Sequence, residues 1–163
     1  MKLAGHLRGQ HIELVCYGGH RQEVAALNAR AEAEGLAETL TFVAFLSPRA
    51  LNAVLANDIS IGIVPLQDTY YSRYLTCPVK ALDFMANGLP VIGSDVPSVI
   101  AVLNNCGTIV SGNNEADYAE AVVALLESRE HYLNLSQQAL SRAEVISWQN
   151  RAKAIIHFSD TDC

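Results

Sequence analysis

The sequence predicts an α/β fold in which a parallel β-sheet is covered by helices on both faces. Short apolar runs bounded by turn residues, such as residues 12–17 and 59–64, alternate with segments whose apolar residues recur at helical spacing. Residues 89–92 are apolar without alternation, which is typical of a parallel strand buried on both sides. Strands that alternate with helices form parallel sheets, and 163 residues are enough for one domain with its own core.

The composition limits the partners that we expect. The net charge is −6, which argues against a general surface for nucleic acids or anionic membranes. A local pocket for one anionic nucleotide is compatible with that charge. No apolar run approaches the roughly 18 residues that a membrane span needs, and the N-terminus has no signal-peptide pattern. We therefore expect no nucleic-acid binding and no transmembrane segment.

The four cysteines, Cys16, Cys77, Cys106 and Cys163, are far apart in the sequence. Their spacing matches neither a zinc site nor a disulfide framework. His20 has no second His or Cys at metal-ligand spacing and is interpreted as a loop residue. Reduced thiols are typical of intracellular proteins, so we expect a cytoplasmic protein without a metal or another cofactor.

The N-terminal part predicts a strand, a turn and a helix. Residues 1–11 resemble the last turns of a helix followed by a polar loop, so we expect a segment upstream of Met1 to be missing. Residues 12–17 form a strand that ends at Gly18 and Gly19. A glycine pair between a strand and a helix lets backbone N–H groups approach a phosphate. A tight β–α turn explains the pair equally well, and both interpretations stay open.

The next units follow the same rule. A helix over residues 21–34 is predicted to bury one face, made of Val24, Leu27 and Ala31. Residues 39–46 form a second strand, after which Ser47 caps a helix that has Pro48 at its first position. The predicted buried side of that helix is Leu51, Val54 and Leu55. Residues 59–64 form a third strand.

Residues 67–77 are predicted to be a loop, because they are the longest stretch without apolar periodicity. The loop follows the third strand, at the edge where open α/β sheets bind ligands. It carries side chains that suit a sugar or a phosphate, namely Tyr70, Tyr71, Arg73 and Tyr74. An ordinary surface loop is an equally good interpretation.

A helix with a buried strand after it occupies the centre of the chain. Pro78 suits the first helical position, and Gly88 suits the left-handed residue just past the helix end. The predicted buried face of the helix is Val79, Leu82 and Ala86. The strand over residues 89–92 is closed by Ser94 and Asp95, and Pro97 opens another helix.

Asp83 lies one turn into this central helix, at the border of the predicted buried face. A carboxylate beside the ends of parallel strands can accept hydrogen bonds from a diol such as a ribose. The alternative is an acid that is favoured near a helix N-terminus by the macrodipole, at about 0.3–1 kcal/mol.

The C-terminal part continues as strand and helices. Residues 107–112 form a strand, and residues 114–127 form an amphipathic helix whose apolar residues are Tyr118, Ala121, Val122, Leu125 and Leu126. Further helices are predicted over residues 131–145 and 151–158, the latter led by Trp148, with frayed residues at 159–163. We expect residues 1–163 to be a single domain and residues 114–158 to be its C-terminal helices.

The central stretch, residues 76–102, resembles the donor-nucleotide segment of retaining glycosyltransferases of family 4, the glycosyl transferases group 1, which have the GT-B fold. The residues that carry this resemblance are Cys77, Pro78, Lys80, Asp83, Phe84, Met85, Ala86, Gly88, Pro90, Val91, Ile92, Ser94, Asp95 and Pro97. The resemblance covers about residues 4–157. It implies the C-terminal, donor-binding half of a GT-B enzyme, a Rossmann-like domain that here lacks its first strand.

The resemblance also implies a site for a nucleotide-diphosphate sugar, which is a substrate and not a cofactor. The turn at Gly18 and Gly19 lies near the donor, and the end of the second strand, at Ala44 and Phe45, borders the nucleobase. The remaining implied donor-binding residues are Arg73, Leu75, Thr76, Cys77, Pro78, Val79, Lys80 and Asp83. Among them, the N-terminal end of the central helix approaches the phosphates and Asp83 binds the ribose. No catalytic residue is assigned.

The sequence departs from the family pattern at several places. Leu75 stands where many members have a first glutamate, and Asp83 is one methylene shorter than the second. Ala44 replaces the usual glycine. The strand that carries an Arg and a Lys for the diphosphate would precede Met1, and so would the acceptor-binding N-terminal domain.

The implied reaction moves a sugar, with retention, from a nucleotide-diphosphate donor to an acceptor hydroxyl, as in hexosyltransferases. The chain alone is expected to be inactive without an N-terminal domain as its partner. Two alternatives stay open: a nucleotide-sugar-binding module without catalysis, and a degenerate structural or interaction domain. A missing first strand would expose a sheet edge, so self-association is also expected.

Overall fold

The computed structural model describes residues 1–111 and 114–161. The predicted strand end at Gly112 and the thiol of Cys163 lie outside the described residues. The strands are β1 (Leu14–Tyr17), β2 (Leu40–Val43), β3 (Gly62–Val64), β4 (Val91–Ser94) and β5 (Thr108–Val110). The helices are α1 (Lys2–Leu7), α2 (Arg21–Ala33), α3 (Pro48–Asn57), α4 (Tyr70–Tyr74), α5 (Val79–Ala86), α6 (Pro97–Leu103), α7 (Glu115–Glu127), α8 (Arg129–Val145) and α9 (Trp148–Thr161).

All the strand pairs are parallel, as the alternation of strands and helices predicts. They form two separate ladders instead of the single predicted sheet. β1 pairs with β2, and β3, β4 and β5 pair in that order. The register aligns Leu14 with Leu40 in the first ladder and Gly62 with Val91 in the second. β1, β2 and β3 are also shorter than predicted, and β4 lies two residues later than the predicted strand over residues 89–92.

β4 is the central strand of the larger ladder and is buried at every position. This confirms the interpretation of an uninterrupted apolar run as a strand covered on both sides. Ile92 faces a cluster on one side that α7 and α8 complete. Val91 faces a second cluster, which contains Ala81 and Met85 of α5. β4 thereby fixes the position of α5 relative to the sheet.

The face of α5 that meets the sheet differs from the predicted one. Ala81 and Met85 are fully buried, whereas Val79 is 57% exposed and Ala86 is also exposed. Periodicity allowed either face, because both carry apolar residues at helical spacing. The small Ala81 and the flexible Met85 fit against β3 and β4, which leaves Asp83 on the same exposed side as Val79.

Two other helices show smaller differences. In α2, Ala31 is buried but Leu27 is 36% exposed, and the half-buried Asn28 takes part in the inner face. In α7, Leu126 is 44% exposed, and Ala119 is buried beside Tyr118, Val122 and Leu125. None of the described helices is long and apolar enough to span a bilayer.

Helix ends follow the capping signals of the sequence. Ser47 Oγ accepts a hydrogen bond from Ala50 N at 3.3 Å, with Pro48 at the first helical position. Gly88 has a φ of +71° just past the end of α5, and Leu89 N donates to Phe84 O at 3.0 Å. The left-handed residue ends the helix so that the chain can turn directly into β4.

The side chain of Asn28 caps the outer edge of β2. Its Nδ2 donates to Phe42 O at 2.9 Å, and its Oδ1 accepts from Phe42 N at 2.8 Å. We expect Asn28→Ala to lower the free energy of unfolding by about 1–3 kcal/mol, because it leaves two half-buried backbone groups unpaired. Urea denaturation measures this loss, with Gln22→Ala on the exposed side of α2 as the control. Equal stability of the two variants would contradict the prediction.

Candidate functional site

The turns after β1 and β2 lie side by side at the carboxyl edge of the first ladder. Gly18 N donates to Val43 O at 2.9 Å, and Phe45 N donates to Gly19 O at 3.2 Å. Gly18 and Gly19 have φ values of +123° and +102°, a conformation that side chains rarely adopt. The structure therefore brings Gly18, Gly19, Ala44 and Phe45 together, as the resemblance implies.

Phe45 forms an exposed wall beside this turn. Its side chain is 69% exposed, and its ring meets the ring of His20 edge to face, with centroids 5.7 Å apart. His20 is the N-cap residue of α2, and its backbone N–H donates to Glu23 Oε2 at 2.9 Å. His20 therefore lies outside the helix, as its interpretation as a loop residue predicts, and its place there is that of the N-cap. The sequence signal for this N-cap is Glu23, an acid three residues after His20, as in a capping box.

The predicted loop over residues 67–77 contains the short helix α4. Thr69 caps it by accepting a hydrogen bond from Ser72 N at 3.1 Å. A Thr directly before a turn of helix is a recognisable N-cap signal, but apolar periodicity does not reveal a helix this short. Tyr70 and Tyr74 pack with ring centroids 5.2 Å apart, and both are more than 60% exposed.

Arg73 is held by an acid of its own segment. Its Nη2 donates to Asp68 Oδ2 at 2.6 Å, and its Nε donates to Asp68 Oδ1. These hydrogen bonds lower the pKa of the Asp68 carboxyl. In a bidentate ion pair of this kind, the carboxylate balances the charge of the guanidinium and fixes its orientation. A phosphate would have to compete with Asp68 for this cation.

The segment between α4 and α5 presents an open surface. Leu75 and Cys77 are exposed, and Thr76 is half-buried. Pro78 is buried and precedes α5 as its N-cap residue, one position earlier than predicted. Val79 N donates to Cys77 O at 2.8 Å, which tightens the entry into the helix. The first turn of α5 thus begins at the carboxyl edge of β3 and β4.

Lys80 and Asp83 extend from the exposed side of α5. No described side chain forms an ion pair with Lys80. Desolvation by partial burial raises the pKa of the Asp83 carboxyl, so its surroundings disfavour the charged form. A polar ligand that donates hydrogen bonds to this carboxylate would offset that penalty.

The site has two parts, the turns after β1 and β2 and the segment that runs from α4 into α5. Burial raises the pKa of the Cys16 thiol in β1, and the positive charges of the Met1 amino group and of Lys80 oppose that rise. The described hydrogen bonds and ring contacts link residues within each part, and they do not join Phe45 to Arg73 or to Asp83.

Two surface depressions lie elsewhere on the molecule. One is lined by residues of α5 and α8, including Gln137 and Leu140, and the other by residues of α1 and α7, including His6 and Glu120. Within residues 1–111 and 114–161, no three His, Cys, Asp or Glu side chains are close enough together to hold a metal ion. None of the predicted donor-binding residues lines either of these two depressions.

Residues 2–128 match the family model described as "Glycosyl transferases group 1". The chain belongs to this family. The match includes the turns after β1 and β2 together with α4 and α5, so every predicted donor-binding residue falls inside it.

The chain is similar to several known proteins of greater length. It is 25% identical over 154 residues to the D-inositol 3-phosphate glycosyltransferase of Nocardia farcinica, a match that covers 91% of this chain and 33% of that protein. Sucrose-phosphate synthase from Thermosynechococcus elongatus shares the fold with a TM-score of 0.76 at 20% identity, over 98% of this chain and 41% of that one. Anabaena Alr3699/HepE, solved in complex with UDP-glucose, matches with a TM-score of 0.66 at 15% identity, over 96% and 43%.

These likenesses confirm the predicted family and the α/β fold of a GT-B glycosyltransferase half. The chain spans about a third of the length of the relative and about two fifths of the solved structures. The roles of the individual donor-site residues, from Gly18 to Asp83, stay predictions.

Proposed function

We propose that this group 1 glycosyltransferase chain is the donor-binding half of a retaining, hexosyltransferase-like enzyme. It moves a sugar from a nucleotide-diphosphate sugar to an acceptor hydroxyl, and it works together with an acceptor-binding domain. The observation that carries this proposal is the position of α5. The helix begins at the carboxyl edge of parallel strands, with Lys80 in none of the ion pairs of the described residues and Asp83 exposed but partly desolvated.

The proposed reaction requires stabilisation of a departing diphosphate. Lys80 and the backbone N–H groups of the first turn of α5 supply positive charge on the phosphates. Asp83 accepts hydrogen bonds from the ribose hydroxyls, and the exposed ring of Phe45 borders the base. Because these groups are fixed by the ladders before the ligand binds, they act by electrostatic preorganisation. The sugar itself lies at the open edge, where the second domain completes the cleft.

Calorimetric titration of the purified chain with UDP, GDP, ADP and their glucose conjugates tests the proposal. Saturable binding of one nucleotide supports a working donor site and identifies the base. A flat response across the panel contradicts donor binding by this chain. Binding without sugar transfer, even when an acceptor-binding domain is added, favours a non-catalytic nucleotide-sugar-binding module. The ion pair of Arg73 with Asp68 bears equally on both candidates, because Asp68 competes with the phosphates of any bound nucleotide for this cation.

Replacing Asp83 by Asn is expected to weaken donor binding about tenfold to a hundredfold, because hydrogen bonds to a charged group contribute about 1.5–3 kcal/mol. The same change is expected to leave the fold as stable or slightly more stable at pH 7. The pKa of Asp83 is raised in the folded state, so the ionised carboxyl destabilises the fold once the pH exceeds its unfolded value of about 3.9. Below that pH the two proteins should be equally stable.

Calorimetry and thermal unfolding at several pH values measure both parts of this prediction. Glu38→Gln is the matched control, because Glu38 is exposed and lies before β2, at the opposite edge of the ladder. Unchanged affinity in Asp83→Asn would exclude the ribose role of this carboxylate.

A further inference from the structure

A group of exposed aromatic side chains lies on α4. Tyr70, Tyr71 and Tyr74 are each more than 60% exposed, and large apolar side chains that are grouped on a surface mark binding sites. α4 lies between the carboxyl end of β3 and the first turn of α5. Open α/β sheets bind their ligands at this edge, so the tyrosines stand where a substrate is expected.

Two of these side chains form a pair, called here the tyrosine pair. Tyr70 and Tyr74 are four residues apart, so they lie on one face of α4. Their ring centroids are 5.2 Å apart, and their ring planes are tilted by 53°. The two rings together offer a larger aromatic surface than either ring alone.

The helix that carries the tyrosine pair is fixed from its other side. Ser72 is 8% exposed, and its Oγ lies 3.0 Å from Thr69 Oγ1. α4 also packs on α6. A helix of five residues is not stable by itself, so these contacts hold it in place. The rings are therefore presented on a supported element.

The surface around the tyrosine pair has little net charge. Arg73 is the only charged residue of α4, and Asp68 balances it in a bidentate ion pair. Hydrogen bonds to Asp68 and, to a smaller extent, to the Tyr74 hydroxyl raise the pKa of the Arg73 guanidinium. The ion pair thus also helps to orient Tyr74. An uncharged ligand suits this surface better than an anion does.

The chemistry of the tyrosine pair suits a pyranose ring. A pyranose carries C–H groups on its faces, which pack against aromatic rings, and hydroxyl groups around its rim. Tyrosine combines an apolar ring with a hydroxyl that both donates and accepts hydrogen bonds. The same side chain can therefore contact the face of a sugar and the hydroxyls at its edge.

The position of α4 favours the acceptor over the donor sugar. The donor sugar is bonded directly to the second phosphate, so it has to lie against the groups that hold the phosphates. The proposed function assigns these groups to the first turn of α5. Among the described elements, α4 packs on α6 and has no extensive packing with α5, β1 or β2. An acceptor has no covalent link to the nucleotide and can bind at this separate surface.

We propose that Tyr70 and Tyr74 stack against the terminal pyranose ring of an uncharged saccharide, which is the acceptor. The proposal rests on the proposed sugar transfer and adds the chemical class of the acceptor to it. The tyrosine pair makes and breaks no bond. It holds the ring of the acceptor and thereby positions the hydroxyl that receives the sugar.

NMR titration of the whole chain, isotope-labelled in its tyrosine rings, tests this proposal. The probes are the methyl glycosides of glucose, mannose and galactose. We expect at least one of them to shift the ring signals of Tyr70 and Tyr74 saturably. Tyr74→Ala should weaken that binding about threefold to tenfold, and Tyr74→Phe, which keeps the ring, should bind more tightly than Tyr74→Ala.

Trp148→Ala is the control, because Trp148 is also a large aromatic residue, 78% exposed, but lies on α9. Its glycoside affinity should equal that of the wild-type chain. Equal weakening in Trp148→Ala and Tyr74→Ala would show unspecific stacking and overturn the proposal. Equal affinities of Tyr74→Phe and Tyr74→Ala would overturn it as well, and so would the absence of a saturable shift with every glycoside.

Titration of Tyr74→Ala with UDP and UDP-glucose separates the acceptor from the donor sugar. We expect both affinities to equal those of the wild-type chain. A loss for UDP-glucose alone would place the donor sugar on the tyrosine pair and overturn the acceptor role. Glycoside binding that depends on Tyr74, in a chain that binds no nucleotide, would support the saccharide site and contradict the donor site. The two proposals therefore fail in distinguishable ways.

Discussion

Replacing Gly62 by Ala is expected to lower the free energy of unfolding by about 1–3 kcal/mol, the range for overpacking a well-filled core. A Cβ at Gly62 would lie 2.3 Å from Phe84 Cδ2 and 2.8 Å from Phe84 Cβ. The ring can rotate, but the Cβ of Phe84 is fixed to the backbone of α5. The helix must therefore move away from β3, and Lys80 and Asp83 move with it.

Two measurements check this expectation. The melting temperature should fall by roughly 2–12 °C, given about 2–4 °C per kcal/mol for a domain of this size. Where the variant binds a nucleotide at all, its affinity should be weaker than that of the wild-type chain. Phe84→Ala in the same molecule removes the two closest ring contacts, so the double variant should lose less stability than the sum of the single changes.

Gly5→Ala provides the matched control. Gly5 lies in α1, and a Cβ there would meet no atom within 4 Å. Alanine at a helical position should raise stability by about 0.5–1 kcal/mol. If Gly62→Ala were as stable as the wild-type chain, the close approach of α5 to β3 would be wrong.

Replacing Met85 by Ala is expected to cost about 2–5 kcal/mol, which is typical of truncating a buried Met side chain. Met85 is fully buried in the cluster that also contains Val91 and Ala139. α5 lies between the strands and α8, so its neighbours are held on both sides and cannot easily fill the cavity. Among single changes in the helix that carries the candidate site, this one should affect stability most.

Val79→Ala in the same helix is the comparison that decides which face is buried. Val79 is 57% exposed, so the change should alter stability by less than about 0.5 kcal/mol. Urea denaturation of both variants measures the difference. A larger loss for Val79→Ala than for Met85→Ala would restore the face that the sequence predicts and reverse the orientation of Asp83.

The burial of α5 shows why periodicity alone did not orient this helix. Val79, Leu82 and Ala86 form one apolar stripe, and Ala81 and Met85 belong to another. Hydrophobic spacing is equally good for both, so the choice depends on what packs against the helix. Gly62 admits Phe84 and α8 covers the opposite side. This orientation of α5 matters for the candidate site, because it leaves Asp83 and Lys80 on the exposed side of the helix.

The candidate site likewise contains features that the sequence predicted and features that it did not. The glycine pair, the capping residues of α3 and the central motif around α5 are local patterns, and the sequence predicted them. The sequence did not predict three other features: the bidentate ion pair of Arg73 with Asp68, the ring contact of His20 with Phe45, and the helix α4. Each depends on how short segments fold back on themselves, for which apolar periodicity carries no information.

The sequence by itself determined the α/β class, the order of the described elements apart from α4, most of the helix ends and the family of glycosyl transferases group 1. These features follow from local chemistry: apolar spacing, caps, turn glycines and a dense motif. Only the tertiary structure decided that the strands form two ladders, which edges stay unpaired and which face of α5 is buried. The physical reason is that strand pairing and helix orientation depend on contacts between distant segments, whose free energies no single segment of the sequence contains.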